Sequence, residues 1–350
     1  MMSVDTMKTQ DFLDYALAHG FGDLHMKVDV QTGMKAIVAI HSTKLGPALG
    51  GCRFIHYPDT LTALWDAMRL ARGMSYKAAL ANLPIGGGKS VIIEPQTSYD
   101  RTAYMHRFGE FVHELGGRYI TALDSGTQLS DMDIIAEHTP YVASLSTQHG
   151  DPSPATAEGL LSGIQAAVSF KLKKDSLNGL HMAIQGLGHV GFLIARHLHA
   201  LGVRLTVTDM NPVLVERAVK ELGAKAVASD EIHKIPCDVF VPCALGAIIN
   251  DVSIPELQTT IVAGATNNPL AHTYHGQALH TKGILYAPDY VINAGGLVYA
   301  TCKYLQSPLS LMKERIDGIG TSLMQIFERS LRENRPASDI ADTMAQEKLS

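Results

Sequence analysis

Four cysteines in 350 residues, Cys52, Cys237, Cys243 and Cys302, are too few for a disulfide framework, and no C-x-x-C pair offers a zinc site. They read as reduced, packed thiols. No apolar run is long enough to cross a bilayer: the longest, Val239 to Ile249, falls short of the ~20 residues a spanning helix needs and contains Pro242 and Gly246. An export signal is missing too, because Asp5, Asp11 and Asp14 interrupt the amino-terminal stretch, so a cytoplasmic location is expected. Basic excess is absent. With 29 Lys and Arg against 34 Asp and Glu, a net charge of -5, the chain lacks the electrostatic footprint of a nucleic-acid binder. There is no internal repeat and no low-complexity tract.

What is present is a 46% apolar, 18% charged chain with 31 glycines, long enough for two compact domains. Small-molecule chemistry is the expectation. The run Met34 to Ser42 reads as a strand, and Leu61, Leu64, Trp65, Met68 and Ala71 recur at helical spacing. Further on, Ser90 to Ile93 reads as a strand, Arg101 to Leu115 as an amphipathic helix, Arg118 to Ala122 as a strand and Asp131 to His138 as a helix. The segment His149-Gly150-Asp151-Pro152-Ser153-Pro154 collects turn formers and is the expected hinge. After it come a helix from Ala155 to Phe170, the strand His181 to Gln185, a glycine turn, a helix from His189 to Ala200 and the strand Arg204 to Thr208, which together form a βαβ unit. Short strands are expected at Val239 to Val241, Ile261 to Ala263 and Val291 to Ile292. The fold class is α/β.

The glycine turn Gly186-Leu187-Gly188-His189-Val190-Gly191 follows a strand, opens a helix and is followed by Asp209 at the end of the next strand, the context of a dinucleotide site. Gly186 allows the turn, Gly188 admits a pyrophosphate, and Gly191 brings helix and strand together. A carboxylate at Asp209 accepts from ribose hydroxyls and repels a 2'-phosphate, which favours NAD over NADP. A second cluster, Pro84 to Ser90, imitates a phosphate-binding loop, but Leu83 stands where that loop needs glycine and a strand follows where a helix should. Three glycines before Lys89 are expected to let the main chain crowd a ligand. With Lys77 nearby and both partly buried, repulsion and desolvation favour a neutral amine on one of them, although two solvated lysines suit the residues equally well. Asp124, at the end of a strand, is placed either for proton transfer or as a helix cap. The 16 histidines, among them His41, His113, His138 and His149, lack a ligand spacing such as H-E-x-x-H; they read as surface or packed residues, and no metal is called for.

Seven blocks, GPALGGCR (46 to 53), GMSYK (73 to 77), PIGGGKS (84 to 90), QGLGHVG (185 to 191), PCALGAIIND (242 to 251), AGATNN (263 to 268) and YAPDYVINAGG (286 to 296), run in order along almost the whole chain. Together they resemble the glutamate, leucine, phenylalanine and valine dehydrogenase family, and most of all its leucine branch. The resemblance implies an amino-terminal substrate-binding and oligomerisation domain over residues 1–148, rejoined by a carboxy-terminal helix from about 325 to 350. It also implies a doubly wound Rossmann domain over 149–324, a cleft between the two, NAD as cofactor, and a homo-oligomer that engages neither nucleic acid nor membrane.

By the same resemblance Lys77 binds the substrate carboxylate, Lys89 is the catalytic base and Asp124 the proton shuttle. Gly50 and Gly51 line the carboxylate site, Asn268 and Asn293 help to hold the substrate, and Cys243, Ala244 and Asn268 border the cofactor. Hydride passes from the amino-acid Cα to nicotinamide, water attacks the resulting iminium with Lys89 as base, and a 2-oxo acid and ammonia leave. Cys52 and Leu123 depart from the residues usual in the leucine branch without removing a group from this mechanism. Leu49, Ala122, Leu297 and Ala300 make the expected side-chain pocket apolar, which argues against glutamate, since an unpaired buried carboxylate costs several kcal/mol, on the order of 2–7. Leucine, valine and isoleucine suit it, and so do phenylalanine or tryptophan if Ala300 leaves depth. A non-catalytic dinucleotide sensor would need the glycine turn and Asp209 but not Lys77, Lys89 and Asp124.

Overall fold

The computed structural model describes residues 11–147, 150–244 and 246–350. Asp5, His149 and Leu245 lie outside them. The chain divides into two compact units. One holds the residues up to Gly150 together with Ala300–Pro308 and Ala345–Ser350; the other holds Asp151–Tyr299 and Leu309–Met344.

The first unit is built on a five-stranded sheet. Its strands, β1 (Asp23–Val28), β2 (Lys35–Ser42), β3 (Ala48–Ile55), β4 (Gly86–Ile93) and β5 (Tyr119–Leu123), lie in the order β1-β2-β4-β3-β5. β2 runs antiparallel to β1 and β4, while β3 is parallel to both β4 and β5. Each face has its own core. The helix Thr60–Leu80, capped by Asp59 accepting from Thr62 N–H at 2.6 Å, lays Trp65, Met68 and Ala71 on Ile37, Ala39 and Val91. On the other face the helices Arg101–Glu114 and Leu129–Ala136 bury Phe108, Val112, Met132 and Ile135 against Phe54, Ile92 and Tyr119. β1 and β3 were not expected; β3 escapes notice because its centre, Gly50-Gly51-Cys52, lacks the branched side chains that mark strands.

The second unit carries a parallel sheet of β6 (His181–Gln185), β7 (Arg204–Thr208), β8 (Lys225–Ala226), β9 (Cys237–Pro242), β10 (Thr259–Val262) and β11 (Leu285–Tyr286). Their order, β11-β10-β9-β6-β7-β8, is the doubly wound Rossmann arrangement, with ligand-facing strand ends at the carboxyl side. Two expectations need correction. Val291–Ile292 is not a strand: Pro288 stops β11 from continuing, and its carbonyl accepts from both Val291 and Ile292 N–H at 3.0 Å, so Asp289–Ile292 is one helical turn. The chain divides between Gly150 and Asp151, inside the segment expected as the hinge, and its prolines then start a helix, Ser153–Leu172, where a first-turn proline gives up no hydrogen bond. Finally, the chain does not rejoin the first unit at about 325, since Leu309–Met344 stays with the second. There the helix Leu309–Glu333 packs closely on Ser153–Leu172, because a Cβ on Gly159 or Gly320 would sit 2.6 Å from Ile319 Cδ1 or Ser162 Oγ. No helix among the described residues is long and apolar enough to cross a membrane.

Candidate active site

The centre of the first unit's site is a gap in a sheet. The register that pairs Leu49 with Gly87 and Cys52 with Ser90 sets Gly51 beside Lys89 on β4, and Gly51 pairs with Ala122 on β5. Paired residues share a face, so Lys89, Gly51 and Ala122 form one row under the helix Thr60–Leu80. Gly51 has no side chain to fill its place. Asp124, just past β5, leans into that space: a Cβ on Gly51 would lie 2.6 Å from Asp124 Cβ and 3.0 Å from its Oδ2. Across this floor Asp124 Oδ2 forms an ion pair with Lys89 Nζ.

Asp124 is held from behind. Its Oδ1 accepts from Ser125 N–H at 2.7 Å, its own N–H donates to Thr127 Oγ1 at 3.0 Å, and Thr127 Oγ1 lies 3.0 Å from the Cys52 carbonyl. The helix-cap alternative is decided against, because the following helix starts at Gln128, whose N–H donates to Asp131 Oδ2 at 2.6 Å.

Lys89 is 6% exposed. Burial lowers its amine to about 7, and the positive charges of Arg53 and Lys77 push the same way against the opposing pull of Asp66. Contact with Asp124 favours the ammonium, so a proton can pass between the two groups over a single contact. Arg53, two residues beyond Gly51 and so on the same face of β3, is fixed by Asp66, with Nη1 to Oδ2 2.7 Å. Burial opposes ionisation of Asp66, but the Tyr57 hydroxyl at 2.7 Å and the charges of Arg53 and Arg69 outweigh it and hold the carboxyl below its ordinary value. Sequence reasoning gave Arg53 and Asp66 no role. Arg53 at i+2 from Gly51 was the available signal, but only once Gly50 to Arg53 is known to be a strand.

Lys77 lies half-buried in the last turn of the helix Thr60–Leu80. The glycines before Lys89 do not crowd a ligand, which corrects the earlier expectation. They are part of β4, and side chains on Gly86, Gly87 and Gly88 would strike Ser42, Ser75 and the Tyr119 ring respectively. Gly87 thus lets the helix bearing Ser75 and Lys77 approach the strand bearing Lys89. Gly50 faces the Gly88 carbonyl, and its own carbonyl accepts from the Tyr119 hydroxyl at 2.6 Å. Leu49 and Ala122, both buried, flank Gly51 on the Lys89 face. Cys52 points to the opposite core, where burial pushes its thiol up to about 12 and keeps it protonated.

In the second unit Gly186 has φ +98°, and a Cβ there would meet the Cys243 carbonyl and Ala244 N at 2.8 Å. Gly191 packs against the Gly186 carbonyl. Around Gly188, by contrast, a Cβ would meet nothing within 4 Å, and this residue starts the helix His189–Ala200 with no side chain capping its N–H groups. An open cradle of unsatisfied donors is what a pyrophosphate requires. Leu187 is buried, and His189 and Val190 form the first helical turn. Asp209 is aimed by two backbone donors, Leu187 N–H at 2.5 Å and Asn211 N–H at 2.7 Å, which leaves lone pairs for ribose hydroxyls. The site fits a dinucleotide.

Asn268, exposed with φ +52°, donates its N–H to Asp289 Oδ2 at 2.8 Å. Asn293 is buried and gives its amide to Asn267 Oδ1 at 2.8 Å and to the Ala265 carbonyl at 3.2 Å, so it shapes the loop that presents Asn268. Leu297 and Ala300 lie three residues apart on the helix Gly295–Tyr304, the first buried in the second unit and the other assigned to the first.

Residues 22–141 match the family described as Glu/Leu/Phe/Val dehydrogenase, dimerisation domain, and residues 210–335 match Glutamate/Leucine/Phenylalanine/Valine dehydrogenase. The chain is 46% identical over 324 residues to the leucine dehydrogenase of Geobacillus stearothermophilus, which covers 92% of this chain and 88% of that one. Identity to the phenylalanine dehydrogenase of Caldalkalibacillus thermarum is 39% over 331 residues, 92% of this chain and 89% of the other. Among solved structures, the L-tryptophan dehydrogenase of Nostoc punctiforme superposes with a TM-score of 0.89 at 39% identity, over 96% of this chain and 98% of that chain.

Proposed function

The chain belongs to the glutamate, leucine, phenylalanine and valine dehydrogenase family and is an oxidoreductase acting on the CH–NH2 group of amino acids; from that premise we propose that it reversibly deaminates branched-chain L-amino acids with NAD. The observation that carries this reading is the row Lys89–Gly51–Ala122 with Leu49 beside it: a proton-transfer pair bordered by buried apolar side chains, while Arg53 on the same face is held by Asp66 at 2.7 Å rather than offered to a second substrate carboxylate.

In this reading Lys77 takes the substrate carboxylate, and Asn268 helps to orient the substrate. The dinucleotide, held at Gly186 to Gly191, Asp209, Cys243 and Ala244, supplies the two-electron acceptor. The neutral Lys89 amine removes a proton from the attacking water, and Asp124 Oδ2, in contact with Lys89, carries protons to and from the departing nitrogen. The product is the 2-oxo acid and ammonia. We place the enzyme in the cytoplasm as a homo-oligomer, supported by the match of residues 22–141 to a dimerisation domain.

A second reading, an aromatic amino-acid dehydrogenase, is favoured by one observation, the 0.89 TM-score to a tryptophan dehydrogenase. One measurement separates the two. With NAD and a panel of L-amino acids followed at 340 nm, leucine, valine and isoleucine are expected to give kcat/KM at least tenfold above phenylalanine and tryptophan, the scale on which one or two methylenes of pocket size discriminate. The reverse ranking selects the aromatic reading. Flat traces for every amino acid overturn both.

The cofactor assignment has its own test. Asp209→Ala combined with Asn211→Arg removes the carboxylate that repels a 2'-phosphate and adds a cation. The ratio of kcat/KM for NAD over that for NADP is expected to fall by about two orders of magnitude, equivalent to roughly 2.7 kcal/mol. Asn211 caps the helix Pro212–Leu222 by accepting from Val213 N–H at 3.1 Å, so its replacement also costs about 1 kcal/mol of stability. An unchanged ratio would show that Asp209 does not face the ribose.

A further inference from the structure

On the sheet face opposite Lys89, the helix Arg101–Glu114 meets the end of the helix Leu129–Ala136 at unusually short range. Gly109 makes this possible: a Cβ there would lie 2.8 Å from the Ile135 carbonyl and 3.1 Å from His138 Cβ. One turn earlier on the same helix face stands His106. Its Nδ1 is 2.8 Å from His138 Nε2 and 3.8 Å from Glu137 Oε2, and all three donor atoms lie within 4.8 Å of one another. The two rings cross at 83°, nitrogen to nitrogen, and both histidines are half-buried.

We propose that His106, Glu137 and His138 form a binding site for a divalent transition-metal ion, zinc foremost, that clips these two helices together. At 2.8 Å the two ring nitrogens stand at hydrogen-bond distance, facing each other. Widening the nitrogen–nitrogen distance to roughly 3.3 Å, as tetrahedral Zn–N bonds of about 2.0–2.1 Å require, turns both lone pairs onto one ion, with the Glu137 carboxylate as third ligand and water as fourth. This donor set of two imidazoles and a carboxylate suits zinc and cobalt rather than calcium or magnesium. The electrostatics agree. Glu137 and His138 sit at a helix carboxyl end, which favours a cation, and the adjacent Arg107 is committed to Glu110 at 2.8 Å and Asp29 at 3.8 Å. Sequence spacing conceals the site, because His106 lies about thirty residues from its partners and the packing of the two helices brings them together.

Since the ion would brace the face away from Lys89 and Asp124, its role is structural, and turnover should hardly depend on it. The test uses the full chain without a histidine tag, stripped with chelator and dialysed against ZnCl2 or CoCl2. About one ion per chain is expected, with Co(II) giving the visible ligand-field bands of a tetrahedral site. His106→Gln and His138→Gln are each expected to weaken binding at least tenfold, as loss of one of three protein ligands should, while His113→Gln on the same helix leaves it unchanged. Amino-acid oxidation retained by the variants shows that they are folded. Should a variant fail to fold, proton NMR of the Co(II) form of the unmodified chain decides: two paramagnetically shifted imidazole N–H signals support the site and none overturns it. Absence of bound ion in the unmodified chain at 100 µM zinc, or equal binding by all three variants, also overturns it.

Discussion

Lys89→Ala is expected to lower kcat for amino-acid deamination by about three orders of magnitude, within the range for loss of a general base, while the protein still binds NADH. The cause is specific. Burial brings the Lys89 amine to about 7, so near neutral pH a large fraction is unprotonated and able to accept a proton from water. Below that value the neutral fraction falls tenfold per pH unit, and kcat/KM of the unmodified enzyme should therefore climb with pH through about 7 and then level off. Lys89→Ala should abolish that limb. Removing the ammonium also leaves the Asp124 carboxylate without its partner in a site only 20% exposed, so NADH fluorescence must accompany the kinetics to show that the fold survives. A small exogenous amine is expected to restore part of the rate by entering the space left. Lys77→Ala, by contrast, should chiefly raise the amino-acid KM, because in the proposed reading Lys77 contacts the carboxylate in ground and transition states alike. Full activity of Lys89→Ala across the pH range would remove Lys89 from the mechanism.

Gly51→Ala is expected to cost about two to three orders of magnitude in kcat/KM through a single methyl group. That methyl would have to occupy space 2.6 Å from Asp124 Cβ, closer than real carbon contacts come, and 3.0 Å from both Asp124 Oδ2 and the Leu123 carbonyl, so the segment bearing Asp124 has to shift. Displacement separates the carboxylate from Lys89, and misplacement of a reacting group by about 1 Å costs on the order of 100-fold. Overpacking should add a stability loss of about 1–3 kcal/mol. Gly73→Ala is the matched control. Gly73 lies in the helix Thr60–Leu80, where a Cβ meets nothing within 4 Å, so that change should leave turnover intact and raise stability by up to about 1 kcal/mol. If Gly51→Ala turns over normally, the gap in β3 is not what brings the pair together.

Much of the second unit was legible in the sequence because its signals are local. The strand His181–Gln185, the helix His189–Ala200 and the strand Arg204–Thr208 fall where apolar runs and the glycine turn put them, since each is bounded by residues that act on their own backbone. The first unit hid more. Gly50, Gly51, Gly86, Gly87 and Gly88 look like loop formers, yet all five belong to strands, chosen for what the neighbouring chain needs rather than for their own conformational freedom. A residue selected by a partner forty positions away leaves no periodic trace. The same holds for Arg53 and Asp66, whose meeting depends on a strand that the sequence did not announce, and for Ile292, whose branched side chain packs a helical turn against Gly163.

The backbone contact between Gly87 and Ser75 has one more consequence. It brings the helix that ends near Lys77 close against the strand that bears Lys89, with Ser75 N, Oγ and Cα all within 2.5 Å of where a Gly87 Cβ would stand. In the proposed reading the two backbone segments that carry these lysines act as a gauge for the part of the substrate that every α-amino acid shares. Leu49 and Ala122 stand outside that gauge on neighbouring positions of β3 and β5, and can change without disturbing it. In that reading the fold separates the part of the substrate that is always the same from the part that varies. A lineage can trade one amino acid for another by altering the lining alone, while the chemistry, measured by the same ruler, goes on untouched.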